Sequence, residues 1–250
     1  MGEYDMKKFL KALSLMTVCA ITVAAFAGCS KSSGKLTVAT NAEFEPFEYM
    51  DNNKIVGIDV DIVNQIAKDM GKTPDIQNMS FDSVLAAASS GKVNMAVAGI
   101  TKTADREKSM DFSEAYYDAK NVIIVKATNT AITGKDSLKG KKIAVEKGTT
   151  GDDLATTATG DANVSRFDST TDAITDLKNG KVDAVILDSF PANKFVKQNS
   201  DLKITGEGFS SEQYCIAVKK GNSKLLSQVN ATIKKMKADG SLDKIIKNYE

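Results

Sequence analysis

Gly99-Ile100-Thr101 and Asp188 stand at equivalent points of an internal repeat. The chemistry their types offer is the binding of a polar ligand: carbonyl, amide and hydroxyl groups in one copy, a carboxylate in the other. Nucleophilic catalysis has little to work with. The chain has no histidine, so Ser-His and Cys-His pairs are excluded, and with a single thiol, Cys215, beyond the N-terminal segment nearly all zinc sites are untenable. Gly206-Glu207-Gly208 lacks the third glycine of a dinucleotide fingerprint and Gly140-Lys141 lacks the spacing of a P-loop, so no cofactor is implied. Carboxylate and Ser-Lys chemistry stay open.

The elements that must position these residues follow from the repeat itself. Residues 80–99 align without a gap against residues 169–188, at a constant offset of 89. In each copy a serine (Ser80, Ser169) stands at the N-cap of an amphipathic helix, a glycine (Gly91, Gly180) closes it, and an apolar run of strand length follows. Each copy is the α-then-β half of a βαβ unit. Two copies do not make a solenoid, which needs about three or more stacked units, so two related α/β lobes are expected. Ligands of open parallel sheets bind beyond the carboxyl ends of the strands, and if the lobes face each other, the two groups of residues meet across a cleft.

The flanking segments continue this grammar. Strands are expected at 36–40, 75–78, 93–98, 121–125, 142–145 and 164–167, with helices at 59–70, 80–90, from Thr103, after Gly151, at 189–198, 223–238 and 241–247. The strands at 121–125 and 214–218 each carry the chain from one lobe to the other, and two crossing strands form a hinge. Lobe 1 is therefore discontinuous, 35–117 with 217–250, lobe 2 is 121–212, and the hinge strands lie near 118–121 and 212–216.

The first residues read as an address. Lys7, Lys8 and Lys11 precede an apolar stretch over 12–27, and Phe26-Ala27-Gly28-Cys29 closes it with small residues before a cysteine. This is a secretory signal over 1–28 with a lipoprotein cleavage box, acylated at Cys29, followed by a flexible tether at 29–34. The apolar run is short for a transmembrane helix across a ~30 Å core. Met6 resembles an ordinary start more than Met1 does. Cleavage removes three of 33 basic and two of 32 acidic residues, leaving 30 of each. A neutral chain carries neither a nucleic-acid footprint nor a polybasic membrane patch. Cys215, the one thiol left, lies in the apolar run Tyr214-Cys215-Ile216-Ala217-Val218 and reads as buried and structural.

Gly57-Ile58-Asp59-Val60-Asp61-Ile62, with Ile66, Ala67 and Met70 at helical spacing, resembles the signature of family 3 extracellular solute-binding proteins of amino-acid ABC transporters. So, in order, do residues 40–49 (Thr40 to Tyr49), 98–106 (Ala98 to Arg106), 110–117 (Met110 to Tyr117), Gly148-Thr149-Thr150, Asp188 and the terminal Ala238-Asp239-Gly240-Ser241-Leu242. The resemblance implies a two-lobed α/β fold of the periplasmic-binding-protein type II, with two crossing strands as hinge and the ligand cleft between the lobes. It implies a monomeric, lipid-anchored extracytoplasmic receptor, not an enzyme, that delivers an amino acid to membrane permease subunits and has no nucleic-acid partner.

Position by position, the resemblance assigns Arg106 to the ligand α-carboxylate, with the backbone N–H groups of Thr101 and Thr150 as further donors, and Asp188 with the Gly99 carbonyl to the α-ammonium. The physics agrees, because a zwitterion taken out of water leaves two charges that each cost several kcal/mol unless paired. Outside the family, Arg106 reads as a surface helix arginine and Asp188 as a helix N-cap. Phe44 and Phe81 fall where the family sandwiches the ligand side chain, and Phe47 reads as core. Position 41 is Asn41, where members reading basic or polar side chains often carry Asp, and Glu146 ends a strand pointing toward that side chain. A carboxylate beside aromatic faces suits a cation, so a polar or basic amino acid is favoured, although a solvated Glu146 is equally open. The rival readings are a dehydratase-like enzyme on the same fold, with Glu146 as acid, and a ligand sensor for a chemoreceptor or kinase.

Overall fold

The computed structural model describes residues 34–249. The expected signal over 1–28, the expected lipidation site Cys29 and most of the expected tether lie outside the described residues. The chain opens with β1 (Lys35–Thr40), then β2 (Glu43–Phe44), β3 (Glu48–Asp51), β4 (Lys54–Val56), α1 (Ile58–Asp69), β5 (Thr73–Asn78), α2 (Phe81–Ser90), β6 (Met95–Ala96), α3 (Ala104–Glu107) and β7 (Met110–Phe112). It continues with β8 (Tyr117–Lys126), β9 (Ile143–Glu146), α4 (Thr150–Thr159), β10 (Val164–Phe167), α5 (Thr170–Lys178), β11 (Ala184–Asp188), α6 (Ser189–Gln198), β12 (Leu202–Thr205) and β13 (Ser211–Tyr214). It closes with β14 (Ala217–Lys219), α7 (Ser223–Ala238) and α8 (Ser241–Lys247).

Two sheets share one plan. The first has the order β5-β1-β6-β14-β7 and the second β10-β9-β11-β8-β12, with β13 pairing the outer part of β8. In the first, β1 runs parallel to β5 and β6 while β14 is antiparallel to β6 and β7. In the second, β9 runs parallel to β10 and β11 while β8 is antiparallel to β11 and β12. The repeat thus places β6 and β11 at the same point of each sheet, between one parallel and one antiparallel neighbour. The antiparallel strand comes from the far part of the chain in the first sheet and from the near part in the second, which is why the chain crosses twice.

The crossings are bonded to each other. Ser113 N donates to Ile216 O (2.9 Å), Ile216 N to Ser113 Oγ (2.8 Å) and Tyr116 N to Tyr214 O (2.9 Å). The expected single strand over 214–218 is two strands, β13 and β14, with Cys215 and Ile216 passing between the sheets. The aromatic stretch after β1 holds the three-stranded meander β2-β3-β4. Gly57 (φ +130°) closes it onto α1: a Cβ there would lie 2.2 Å from Phe47 O, and its absence lets Ile58 N and Asp59 N reach Pro46 O and Phe47 O.

Burial follows the periodicities. Helix α7 buries Leu225, Val229, Ile233 and Met236, one stripe of a 3.6-residue period. Residues 122–125 of β8 are buried without alternation, as a strand covered on both faces requires. Among the described residues no helix is long and apolar enough to cross a membrane.

Candidate ligand site

All nine residues singled out from the sequence (Asn41, Phe44, Phe81, Gly99, Thr101, Arg106, Glu146, Thr150 and Asp188) line one cavity, together with Glu48, Ala98 and Thr149. Their gathering follows from strand direction. Asn41 follows β1, Gly99 and Thr101 follow β6, and Glu146 and Asp188 end β9 and β11, so the carboxyl ends of parallel strands from both sheets point into one space. Phe81 and Thr150 open the helices α2 and α4. The Thr150 N–H, in the first turn, lacks an intrahelical partner by geometry.

Arg106 is half-buried on α3, whose N-cap Thr103 accepts from Arg106 N (3.2 Å). Its Nη1 donates to Thr101 O (2.6 Å), its Nη2 to Gly148 O on the other lobe (2.9 Å), and its guanidinium carbon lies 5.4 Å from the Phe81 ring centroid. It is not a solvated surface arginine. Burial pulls its pKa down, offset in part by Asp153, Glu212 and Asp188, but a guanidinium stays charged at neutral pH.

Asp188 does not cap the helix it precedes: no backbone N–H of α6 bonds to its side chain. Its Oδ1 is buried, and the buried Tyr214 hydroxyl beside it is the group that offers it a proton, in a contact outside strict hydrogen-bond geometry. Burial raises the Asp188 pKa to about 7. Glu146 is buried at 6% exposure, which removes the solvated reading. Its Oε2 accepts from Thr170 Oγ1 (3.0 Å), Oε1 has no partner, and burial lifts its pKa to about 7. Glu146 Oε1, with no partner, and Asp188 Oδ1, with only the loose Tyr214 contact, are costly on the wall of one cavity unless a cation meets them.

Phe44 packs on Phe47 (5.8 Å between centroids) with its edge at the cavity. Gly99, at φ +51°, has no Cβ because one would sit 3.0 Å from that ring. Asn41 donates through Nδ2 to Met79 O (3.1 Å). Phe47 is fully buried, as expected of core. Cys215 is buried with no disulfide, and burial pushes its thiol up to about 11.

Three acidic residues of the site have no local signature. Glu48 lines the cavity, is fully buried, and in its neutral form has Asp59 as the acceptor for its proton. Burial first, and Asp59 beside it second, hold its pKa well above the usual carboxylate range. Asp59 Oδ2 accepts from Gly99 N (3.0 Å) and Tyr116 OH (2.9 Å) and so fixes the Gly99 turn. Glu212 receives the hydroxyls of Thr101 and Thr150. Glu48 and Asp59 lie inside stretches that resemble the family, yet neither position implies a partner until the fold supplies one. No cluster of side chains able to hold a metal occurs among the described residues.

Residues 36–250 match the model of the bacterial extracellular solute-binding proteins, family 3. The chain belongs to that family. It is 32% identical over 259 residues to a probable histidine-binding protein of Neisseria gonorrhoeae (98% of this chain, 96% of that one). It is 31% identical over 254 residues to the arginine-binding extracellular protein ArtP of Bacillus subtilis (98% of each). An ancestral arginine-binding protein, solved with glutamine and with arginine bound, shares 42% identity and a TM-score of 0.82 over 86% of this chain and 97% or 98% of the other. These relatives are named for binding, not for catalysis, so the dehydratase alternative has no support.

Proposed function

We propose that this solute-binding protein captures a free amino acid with a cationic side chain in the cavity between its lobes and delivers it to the permease subunits of an ABC importer. The observation that carries the reading is the charge of the cavity wall. Glu146 and Asp188 face it with oxygens that no cation meets, Arg106 supplies one positive charge, and Glu48 is held toward its neutral form. With Glu146 and Asp188 both ionised the excess is one negative charge, which arginine or lysine cancels and a neutral amino acid does not. Relatives named for arginine support the same class, beside others named for histidine, glutamine and cystine.

In this reading Arg106 and the N–H groups of Thr101 and Thr150 take the α-carboxylate. A guanidinium has five N–H donors, and the two carbonyl bonds above leave it others to offer. Asp188 and the Gly99 carbonyl take the α-ammonium. Phe44, Phe81 and Asn41 flank the side chain, and Glu146 pairs with its cationic end.

Thermal-shift and calorimetric screening of the twenty amino acids tests this directly, with arginine and lysine expected to stabilise most. Glu146→Gln is expected to weaken arginine by about 1–3 kcal/mol, the cost of a charged hydrogen bond, and to change glutamine little. Glutamine hurt and arginine spared would make Glu146 a neutral acceptor instead. The pH sign is definite. A glutamate near 4.5 when unfolded and about 7 when folded binds its proton more tightly in the folded state. Stability of the ligand-free protein therefore falls as pH rises from 4.5 to 7, and Glu146→Gln flattens that slope. Arginine affinity rises over the same interval as the carboxylate ionises.

The membrane attachment rests on Cys29. Acyl chains hold a protein stably because each buried CH₂ contributes ~0.8 kcal/mol, and the polar tether has no apolar surface. Cys29→Ser is expected to move the protein from the membrane to the soluble fraction. A variant that still sediments with membranes would indicate an uncleaved transmembrane segment.

A further inference from the structure

The carboxylate of Glu212 lies on β13, one of the two connections between the lobes, and gathers three contacts from three directions. Oε2 accepts both the Thr101 hydroxyl and the Thr150 hydroxyl, each at 2.8 Å, and Oε1 accepts from Asn121 Nδ2 at 3.2 Å. Thr101 follows β6 in the first sheet, Thr150 opens α4 beside the second, and Asn121 lies on β8, the strand that β13 pairs. Asn121 Nδ2 also reaches Thr150 Oγ1 (3.1 Å), which closes the network. The loop carrying Thr101 is tied to the same segment by Cys215 N to Ile100 O (2.9 Å) and Lys102 N to Gln213 O (3.3 Å).

We propose that Glu212 is a positioning residue that couples the cavity to lobe closure: it holds one cavity threonine from each lobe on a single carboxylate oxygen, so that the lobes meet only with Thr101 and Thr150 in place. The ligand half of this rests on the cavity being the amino-acid site; the closure half does not. Geometry requires an acceptor-only group. Two hydroxyl hydrogens point at one oxygen and an amide N–H at the other, and an uncharged amide at position 212 would set its own N–H₂ against one of those donors. Other contacts also span the lobes, among them Arg106 to Gly148 O and the Lys147–Asp82 (2.7 Å) and Lys194–Glu45 ion pairs. None of these binds both threonines.

The test uses Glu212→Gln, Thr101→Val with Thr150→Val, and the triple variant, each compared with the wild type for arginine affinity by calorimetry, for lobe separation by fluorescence energy transfer, and for unfolding by denaturant. Glu212→Gln is expected to open the ligand-free distribution and to weaken arginine about ten- to a hundredfold, as loss of charged hydrogen bonds entails. In the threonine-free background the same substitution is expected to have a much smaller effect, since only the Asn121 contact is left to lose. An unchanged lobe distribution overturns the proposal whether or not arginine binds, as does an equal effect of Glu212→Gln with and without the threonine hydroxyls. A loss of affinity that only tracks a loss of folding stability overturns it as well. If the wild type binds no amino acid, the proposed ligand fails, while the ligand-free lobe distribution still decides Glu212.

Discussion

Arg106→Ala is expected to abolish useful amino-acid binding and leave the fold intact. Removing one partner of a desolvated charge pair costs ~2–5 kcal/mol, or roughly 30- to several-thousand-fold in affinity. The fold tolerates the change because Arg106 sits on a four-residue helix that buries none of its residues. Of the acceptors it abandons, Thr101 O lies at the cavity and Gly148 O at an exposed contact, so water can replace it at both. The Phe81 ring loses a cation against its face, worth about 0.5–1 kcal/mol at an accessible site. Calorimetry with arginine, beside a thermal melt of the ligand-free protein, separates the two effects. Less than a fivefold loss of affinity would remove Arg106 from the ligand's path.

Asp188→Asn is expected to weaken amino acids far more than analogues that lack the α-amino group, because the shape stays and the charge goes. The same substitution is expected to stabilise the ligand-free protein above pH 7. Asp188 rises from 3.8 to about 7 on folding because its carboxylate is desolvated, so the folded state holds the proton more tightly than the unfolded chain. Stability is lost as pH rises across that interval, and an uncharged amide does not lose it. Binding down and stability up is the pattern of a charge kept for its ligand. If both ligand classes weaken equally and stability falls, Asp188 serves the α6 terminus after all.

How early each part of the site was legible depends on the range of the interactions that define it. The helix-then-strand phrase at 80–99 and 169–188 is written in local terms, an N-cap serine, an apolar period and a closing glycine, and α2, α5, β6 and β11 follow from it. Ser169 accepts from Thr171 N as an N-cap should, whereas the Ser80 hydroxyl bonds to Asp82 and Ser83 instead, a choice between neighbours that no pattern expresses. Strands of two to four residues (β2, β4, β7, β12) are too short to show a period, and only their partners make them strands. Likewise the apolar run 214–218 looks continuous, although the sheets claim its two ends separately.

The same division holds within the cavity. Chain direction brings nine residues from strand ends and helix starts to one place, because parallel strands in both sheets end on the same side, and that much was implicit in the order of the elements. What only the tertiary structure decided is ionisation and support. Glu146 and Asp188 look like any exposed carboxylate until burial lifts each to about 7. Glu48 becomes a buried acid only when the meander packs it against Asp59. Asp59 holds Gly99 across 40 residues, and Glu212 holds Thr150 across 62 and Thr101 across 111. The sequence by itself determined the elements, their order and the groups at their ends, because periodicity and caps act between near neighbours. Desolvation and the choice of hydrogen-bond partner act between segments that meet only after folding, so the charge state of the cavity wall and the carboxylates behind it belong to the tertiary structure.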